Sequence, residues 1–334
     1  MNGGEQPTTS LEPSQKGKGK MPNPCTEDRF AGCLVGLAIG DALGMPFEGL
    51  GARFIQAHHQ TVTEFLPGDD LAAGQYTDDT KMMLCLADSI VDNGGVNPED
   101  VARRFVAWFD SGDLRGIGMT CLEAILNLTG GTPWRESGKR GEWAAGNGTA
   151  MRIAPVGLVD CLDLESLRED CWATSVITHN NPEAVAGATA VAYVIARLLR
   201  GDRKPEALLT EAADFVGQCE VSRRLQKAHL LLERDTPTLE ALAELGTSGY
   251  VVETVASALY CFLRTPQDFL STCSSAVVAG GDTDTTAAVA GAISGAYNGI
   301  DKLPAHLVSQ VEDSQRLQKL AGDLYLLAQR ADQP

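Results

Sequence analysis

The chain has 334 residues, of which 44% are hydrophobic, and this is enough to bury a core and to exclude wholesale disorder. Its formal charge of −17 gives a surface that repels phosphate backbones, so we expect no nucleic-acid partner. Continuous apolar runs stay short of the ~18 residues of a membrane span, so we expect no membrane segment. The nine cysteines are an odd number without a CxxC pair, which favours reduced thiols in a cytoplasmic protein. We also expect a monomer.

Composition divides the chain near residue 25. Residues 1–24 are rich in Gly, Pro, Ser, Thr, Gln and Lys, which predicts a disordered N-terminal tail ahead of a single domain over 25–334. From residue 28 apolar residues recur at helical spacing, and glycines at 32, 36, 40 and 44 share one face. This spacing predicts a helix pressed closely against a neighbour. Residues 50–76 have a loop pattern, with one short strand predicted near 61–66.

Helical spacing and capping signals predict most of the remaining structure. Asn-Pro-Glu at 97–99 and again at 181–183 supplies an N-cap, a proline at the first helical position and an acid in the first turn. The predicted helices span 78–91, 97–109, 118–128, 164–177, 181–199, 205–216, 221–232, 251–263 and 285–297. Because alternating strand patterns are nearly absent, the sequence predicts one all-α domain of about a dozen helices.

Two clusters of Asp and Thr stand at predicted helix starts, Thr77–Thr80 and Asp282–Thr286. Either cluster alone would ordinarily be a helix cap. Each, however, has two acids flanked by hydroxyls, and crowded carboxylates repel one another unless a cation lies between them. All the candidate ligands are oxygens without a nearby His or Cys, which points to Mg²⁺, Mn²⁺ or Ca²⁺ rather than zinc. Four Asp and two or more Thr could hold a pair of ions, as in two-metal hydrolases.

Two glycine-rich turns, 115–120 and 146–152, stand ahead of helical segments. Exposed N–H groups at such positions suit a diphosphate, although either turn alone is ordinarily a simple loop. Glu48 and His179 also lie in polar loops, where a solvated acid and a polar residue ahead of a helix are the ordinary interpretations.

Several of these segments occur in a fixed order: Gly36–Gly44, Tyr76–Thr80, Gly146–Arg152, Thr178–His179 and Gly280–Thr285. Together they resemble the ADP-ribosylglycohydrolase family, which includes the ADP-ribosyl-dinitrogen-reductase and ADP-ribosylarginine hydrolases. The match spans about residues 28–300, and five motifs in order make it specific.

The resemblance implies an all-α orthogonal multi-helix bundle with a binuclear Mg²⁺ or Mn²⁺ centre in a cleft. The implied metal ligands are Thr77, Asp78, Asp79, Asp282, Asp284 and Thr285. Glu48 matches a mobile-loop glutamate with an acid/base or gating role. The implied contacts to the diphosphate and distal ribose are Gly116, Gly118, Gly146, Asn147, Gly148, Thr149, Ala150, Met151 and Arg152, with His179 and Tyr250 also lining the pocket.

The implied reaction removes ADP-ribose from a modified protein side chain. It breaks a bond at the anomeric carbon through an oxocarbenium-like state, and an acid must move the proton. Asp79 and Glu48 are both candidates, and the sequence does not choose between them. We expect the N-linked ADP-ribosylarginine bond, because the glycine-rich stretches look closer to the arginine-directed branch. An O-linked bond, to serine, in a polymer or in O-acetyl-ADP-ribose, is the alternative.

Two functions of other classes compete with this interpretation. An isoprenoid-diphosphate enzyme needs an Asp-Asp-x-x-Asp motif on one helix face, and the run Asp78–Met82 lacks the third acid. A non-catalytic ADP-ribose binder should have lost metal-binding acids, and all of them are present here.

Overall fold

The computed structural model describes Met1 and residues 25–68, 70–201 and 205–331. Within these ranges it contains seventeen α-helices and five short 3₁₀ helices, and the only β-bridges are isolated ones. The predicted all-α fold is confirmed. Residues 2–24, for which a disordered tail was predicted, lie outside the described ranges.

The α-helices are α1 Glu27–Gly44, α2 Ala52–His58, α3 Asp78–Asn93, α4 Pro98–Ser111, α5 Met119–Thr129, α6 Trp134–Ser137, α7 Ala154–Val159, α8 Leu164–Ser175, α9 Pro182–Leu199, α10 Leu208–Val216, α11 Glu220–Glu233, α12 Thr238–Leu245, α13 Val251–Arg264, α14 Phe269–Val278, α15 Thr283–Asn298, α16 Ala305–Gln310 and α17 Ser314–Ala331. The 3₁₀ helices are Met45–Phe47, Glu142–Ala144, Ala150–Arg152, Pro205–Ala207 and Ile300–Lys302.

The segment 50–76 differs from its prediction. It contains the helix α2, and the strand predicted near 61–66 is wrong. The N–H of Val62 donates to the Ser274 hydroxyl at 2.8 Å, so this backbone is bonded to a helix side chain rather than to a neighbouring strand. The sequence also gave no prediction for the C-terminal helices α16 and α17.

The predicted close approach of the first helix is confirmed. Helix α1 runs antiparallel to α15, and its four glycines pair in order with backbone of that helix: Gly32 with Gly295, Gly36 with Gly291, Gly40 with Ala287 and Gly44 with Thr283. A Cβ atom at any of these α1 glycines would overlap the partner's carbonyl oxygen. This packing sets the C-terminal end of α1 directly against the N-terminal end of α15.

Two helical segments, Glu27–Phe47 and Pro182–Leu199, are long and apolar enough to span a membrane by length and composition. The sequence interpretation did not recognise this. However, 89% and 72% of the residues in these windows are buried inside the protein, and core helices pass the same test. All nine cysteines carry thiols, and most are buried.

Candidate functional site

The two Asp/Thr clusters meet at one cavity of about 200 Å³, although about 200 residues separate them in sequence. The carboxyl-bearing side is lined by Glu48, Asp78, Asp79, Asp282, Asp284 and Thr285. The rest of the lining consists of Gly116, Gly118, Met119, Thr120, Cys121, Gly146, Asn147, Gly148, Met151 and His179. Most of the site residues predicted from sequence therefore lie together, and Met119, Thr120 and Cys121 are additional.

A buried acid of α1 orders the first cluster. The Asp41 carboxylate accepts hydrogen bonds from the backbone N–H and the hydroxyl of Thr77, at 2.9 and 3.0 Å, and from those of Thr80, at 3.1 and 2.6 Å. It thereby caps the N-terminus of α3 from a different helix. Asp41 lies in the first of the ordered motifs but was not predicted as a site residue. The signal was an acid on a helix of otherwise apolar and small residues.

The second cluster follows a turn that only glycine fits. Gly281 has φ +84°, and a Cβ atom there would overlap Thr247. The turn is held between two loops, because Gly281 N–H donates to Leu50 O at 2.9 Å and Asp282 N–H donates to Thr247 O at 2.7 Å. Gly49 N–H in turn donates to Gly281 O at 2.8 Å, which brings the neighbouring Glu48 to the rim of the acidic cavity.

The acids in this cavity raise one another's pKa. Burial is the main cause of the raised pKa of Asp78, Asp79 and Asp284, and the charges of neighbouring acids add to it. Burial raises the pKa of Asp41 to about 6. Burial also raises the pKa of Glu48, with Asp282 and Asp41 adding to it. Such a group of carboxyls is unfavourable without a compensating positive charge.

The residues present fit a hard divalent cation. All the predicted ligands offer oxygen, and two carboxylate oxygens, Asp79 Oδ2 and Asp282 Oδ1, are buried without a hydrogen-bond partner in the described structure. As placed, no three His, Cys, Asp or Glu among the described residues converge on one point. Thr285 Oγ1 instead donates to Asp79 Oδ1 at 3.3 Å. A bound ion would therefore require rotation of side chains within the cluster. Thr77 lies just behind the cavity lining, bonded to Asp41.

The turn that carries Gly116 and Gly118 passes directly over these acids. A Cβ atom at Gly116 would lie 2.8 Å from Thr77 Cβ and 2.9 Å from Asp78 Oδ1. The Gly118 N–H donates to the Asp78 carboxyl and favours its charged form. The turn thus contacts the carboxylates and lines the cavity at the same time.

The loop 146–152 lines the cavity with only part of its length. Gly146, Asn147, Gly148 and Met151 face it, whereas Thr149, Ala150 and Arg152 do not. The Thr149 hydroxyl donates to Ala184 O at 2.9 Å, and the buried Arg152 donates to Gly148 O at 2.8 Å. These three side chains therefore lie outside the cavity lining, and those of Thr149 and Arg152 support the loop from behind.

Asn147 links this loop to the acidic cluster. Its amide nitrogen donates to Asp282 Oδ2 and to Thr254 Oγ1, both at 2.9 Å, and its backbone N–H donates to Gly249 O at 3.0 Å. The Asn147 side chain thus orients a predicted metal ligand. Asn147 was predicted to contact substrate, and of its side-chain atoms only the amide oxygen Oδ1 is left for that.

A second cavity, of about 430 Å³, adjoins the first. It is lined by Glu142, Trp143, Ala145, Gly146, Gly249 and Tyr250, and Gly146 lines both cavities. Tyr250 was predicted from sequence, whereas Trp143 was missed. The Trp143 side chain is 84% exposed, which is unusual for tryptophan and typical of an aromatic surface that a ligand covers.

A model of the ADP-ribosylglycohydrolase family matches residues 22–334. The chain belongs to the ADP-ribosylglycohydrolase family. It is therefore an enzyme of the ADP-ribosylglycohydrolase class, as the ordered motifs predicted.

Named relatives in this family cover nearly the whole chain. The ADP-ribosylarginine hydrolase Tri1 of Pseudomonas putida is 30% identical over 96% of this chain and 86% of its own. The ADP-ribosyl-dinitrogen-reductase glycohydrolase of Rhodospirillum rubrum is 30% identical over 87% and 93%. The human ADP-ribosylhydrolase ARH3 is 29% identical over 91% and 94%. A solved structure titled ADP-ribosylglycohydrolase-related protein complex covers 92% of this chain and all of its own, at 30% identity and a TM-score of 0.70.

Proposed function

We propose that this protein hydrolyses the bond between ADP-ribose and a modified arginine side chain, with two bound Mg²⁺ or Mn²⁺ ions. The observation that carries the proposal is the meeting of both Asp/Thr clusters at one cavity, where Asp79 and Asp282 each keep an unpartnered carboxylate oxygen. Two glycine-rich backbone turns line the same cavity beside these acids.

The ions would be held by Thr77, Asp78, Asp79, Asp282, Asp284 and Thr285, which offer only oxygen ligands. When bound, they would supply Lewis acidity, neutralise the clustered carboxylates and orient the ribose hydroxyls. Asn147 holds one carboxylate oxygen of Asp282, and Asp41 holds the backbone ahead of Asp78, so part of each cluster is anchored while the other ligand side chains would rotate toward an ion.

Glu48 is the better candidate to move the proton. A general acid must exchange protons with water, and Glu48 lies exposed at the cavity rim, whereas the Asp79 side chain is almost completely buried. Although the residue is exposed, its carboxyl is partly buried. This partial burial and the neighbouring acids raise the pKa of Glu48, which makes it a proton donor nearer to neutral pH. Asp79 then serves as a ligand only.

The size of the cavities supports an elongated ligand. A cavity of about 200 Å³ is small for a nucleotide, since ligand pockets commonly measure ~300–1,000 Å³. The adjoining cavity adds about 430 Å³ and offers the aromatic faces of Trp143 and Tyr250 for a planar base. The shared Gly146 would lie beside the diphosphate, between the ribose to be released and the base.

The charge of the cavity supports arginine as the leaving group. The lining contains five carboxyl groups and no Lys or Arg, so two bound divalent ions would leave one negative charge to attract a positively charged modified guanidinium. A serine-linked substrate has no such charge to be attracted. The relatives named above include an ADP-ribosylarginine hydrolase and ARH3 at nearly equal identity, so identity alone does not distinguish the linkages.

The deciding experiment measures ADP-ribose release from arginine-modified and serine-modified protein side by side, with Mg²⁺, with Mn²⁺ and with EDTA. We expect metal-dependent release from arginine. Release from serine alone would retain the metal site and transfer the enzyme to the O-linked class. Binding of ADP-ribose without release from either substrate would favour a non-catalytic binder. Release that persists undiminished in EDTA would overturn the metal assignment.

A further inference from the structure

Behind the cavity, three buried polar side chains form a chain of hydrogen bonds. Arg152 Nη2 donates to the Thr178 hydroxyl oxygen at 2.7 Å, and that oxygen lies 2.9 Å from His179 Nδ1. All three residues are almost completely inaccessible to solvent. The family membership and the proposed reaction account for His179 as a cavity residue, but not for the pair behind it.

Counting the hydrogen-bond donors and acceptors of Arg152, Thr178 and His179 assigns the position of each proton. A guanidinium has only donors, so the Thr178 oxygen accepts the bond from Arg152. The Thr178 hydroxyl proton then has one partner among the described residues, His179 Nδ1. If Nδ1 itself carried a proton, the Thr178 proton would be buried without an acceptor, which costs ~1–3 kcal/mol. Nδ1 therefore accepts, and the proton of the neutral imidazole is on Nε2.

The protonated nitrogen faces the glycine-rich loop and the cavity. A Cβ atom at Gly146 would lie 3.1 Å from His179 Nε2, and one at Gly148 would lie 3.2 Å from it. Both glycines and His179 line the cavity. The same Arg152 also donates to Gly148 O at 2.8 Å, so it holds the loop and, through Thr178, the ring that packs on it.

Among the described residues, the imidazole has no carboxylate partner that would stabilise its charged form. Burial lowers the pKa of His179 to about 3, and the charges of Arg152 and Lys139 add to the effect. The ring therefore stays neutral over the range in which an enzyme of this kind is assayed.

We propose that Arg152 and Thr178 hold His179 as the Nε2–H tautomer, so that His179 donates a hydrogen bond to a phosphate or ribose oxygen of ADP-ribose and takes no part in proton transfer. Arg152 and Thr178 are positioning residues in this scheme, and His179 is a ligand-binding residue. The identity of the ligand rests on the proposed function, whereas the tautomer does not.

The tautomer is measured by ¹⁵N NMR of the full chain labelled at histidine, in Mg²⁺, without substrate. The chain has five histidines, and the signal absent from His179→Gln assigns His179. We expect a protonated Nε2 and an unprotonated Nδ1 that do not titrate between about pH 5.5 and 8. A protonated Nδ1, or titration within that range, would overturn the proposal.

Two variants distinguish the effect of the Thr178 hydroxyl group from the effect of the side-chain volume. Thr178→Ser keeps the hydroxyl and should keep the wild-type tautomer. Thr178→Val removes it and should give a mixture of tautomers; if about half of the rings keep the Nε2 proton, the dissociation constant for ADP-ribose rises about twofold. Circular dichroism melting curves of both variants check that they fold. An unchanged tautomer in folded Thr178→Val would refute the role of Thr178.

The turnover of His179→Gln tests the second half of the proposal. Its KM should rise, while the pH dependence of kcat keeps its wild-type shape, because His179 does not titrate in the reaction. A lost or shifted limb of that profile would make His179 an acid or base and overturn the proposal. If wild-type protein shows the Nε2–H tautomer but binds no ADP-ribose, the proposed function fails and the tautomer assignment stands.

Discussion

Gly36 and Gly291 face each other so closely that a Cβ atom on either residue would overlap the carbonyl oxygen of the other. The contact is reciprocal and lies midway along the antiparallel pair α1 and α15. Because the obstacle is backbone on both sides, no side-chain rotation can relieve it. The position of α15, and with it of Asp282 and Asp284, depends on these glycines.

Gly36→Ala should therefore destabilise the protein by about 3 kcal/mol or more, even though alanine is the better helix former by ~1 kcal/mol. Urea unfolding monitored by circular dichroism measures the change. Gly95→Ala is the matched control, because a Cβ atom there meets no atom within 4 Å, and it should stay within about 0.5 kcal/mol of wild type. Equal effects of the two substitutions would contradict the packing argument.

Asp41→Asn should weaken metal binding without removing any ligand. The Asp41 carboxylate now accepts hydrogen bonds from N–H and hydroxyl groups of Thr77 and Thr80. The amide nitrogen of asparagine is itself a donor and cannot accept them, so the start of α3 loses its cap. Loss of such a supporting group typically costs ~10–100-fold in metal affinity. Calorimetric titration with Mn²⁺ measures it, with Asp110→Asn, an exposed acid on α4, as the control. Wild-type affinity in D41N would exclude this role.

Asp284→Asn should separate function from stability. Its buried carboxyl has a raised pKa because of burial and the adjacent acids, so removing the charge relieves repulsion in metal-free protein. We expect the free energy of unfolding in EDTA to rise by about 1–2 kcal/mol, while turnover and the stabilisation by Mg²⁺ are lost. Thermal melting with and without Mg²⁺ measures both. A variant that is less stable in EDTA and still stabilised by Mg²⁺ would contradict the metal assignment.

Trp143→Ala should weaken ADP-ribose binding with little change in stability. The ring is 84% exposed, so its removal leaves no core cavity, whereas a stacked base would lose ~1–3 kcal/mol of contact. The dissociation constant should rise about tenfold in fluorescence or calorimetric titration. Trp172→Ala, which lines a different groove, should bind normally. Equal losses in both variants would count against a base-binding role for the second cavity.

Asp160 and Asp170 should make stability pH-dependent away from the active site. Burial raises the pKa of Asp160 to about 8, and the Asp170 carboxyl adds to this rise. Burial also raises the pKa of Asp170 to about 6, against a hydrogen bond with Asp160 that lowers it. Because the folded-state pKa of Asp160 exceeds the ~4 of an unfolded aspartate, its stabilising effect appears as pH falls below about 8. Asp160→Asn should therefore be more stable than wild type at pH 9, by about 1 kcal/mol or more, and lose this advantage progressively as the pH falls from about 8 toward about 4. Parallel stability curves for the two proteins would disprove the shift.

The sequence predicted what depends on local spacing and on short motifs. Helices α3, α4, α9 and α13 follow apolar periodicity and capping residues, and the glycine spacing of α1 indicated close packing. What it could not predict depends on tertiary placement. Asp41 became a cap only because α1 passes the start of α3, and Trp143 is informative only because it stays exposed.

The direction of individual side chains was equally out of reach. The sequence predicted that residues 146–152 contact substrate as one loop. The helices packed behind this loop decide that Asn147 faces a carboxylate and that Arg152 faces inward. For the same reason, the pairing of Thr178 with Arg152 could not be recognised from a motif of two adjacent residues.

The pairing of α1 with α15 also bears on synthesis. Helix α1 has a glycine face that packs on α15, and some 240 residues separate Gly44 from Thr283. A nascent chain that ends before residue 282 carries Asp78 and Asp79 but neither of the later acids. The two halves of the acidic cavity therefore cannot come together until most of the chain has been synthesised.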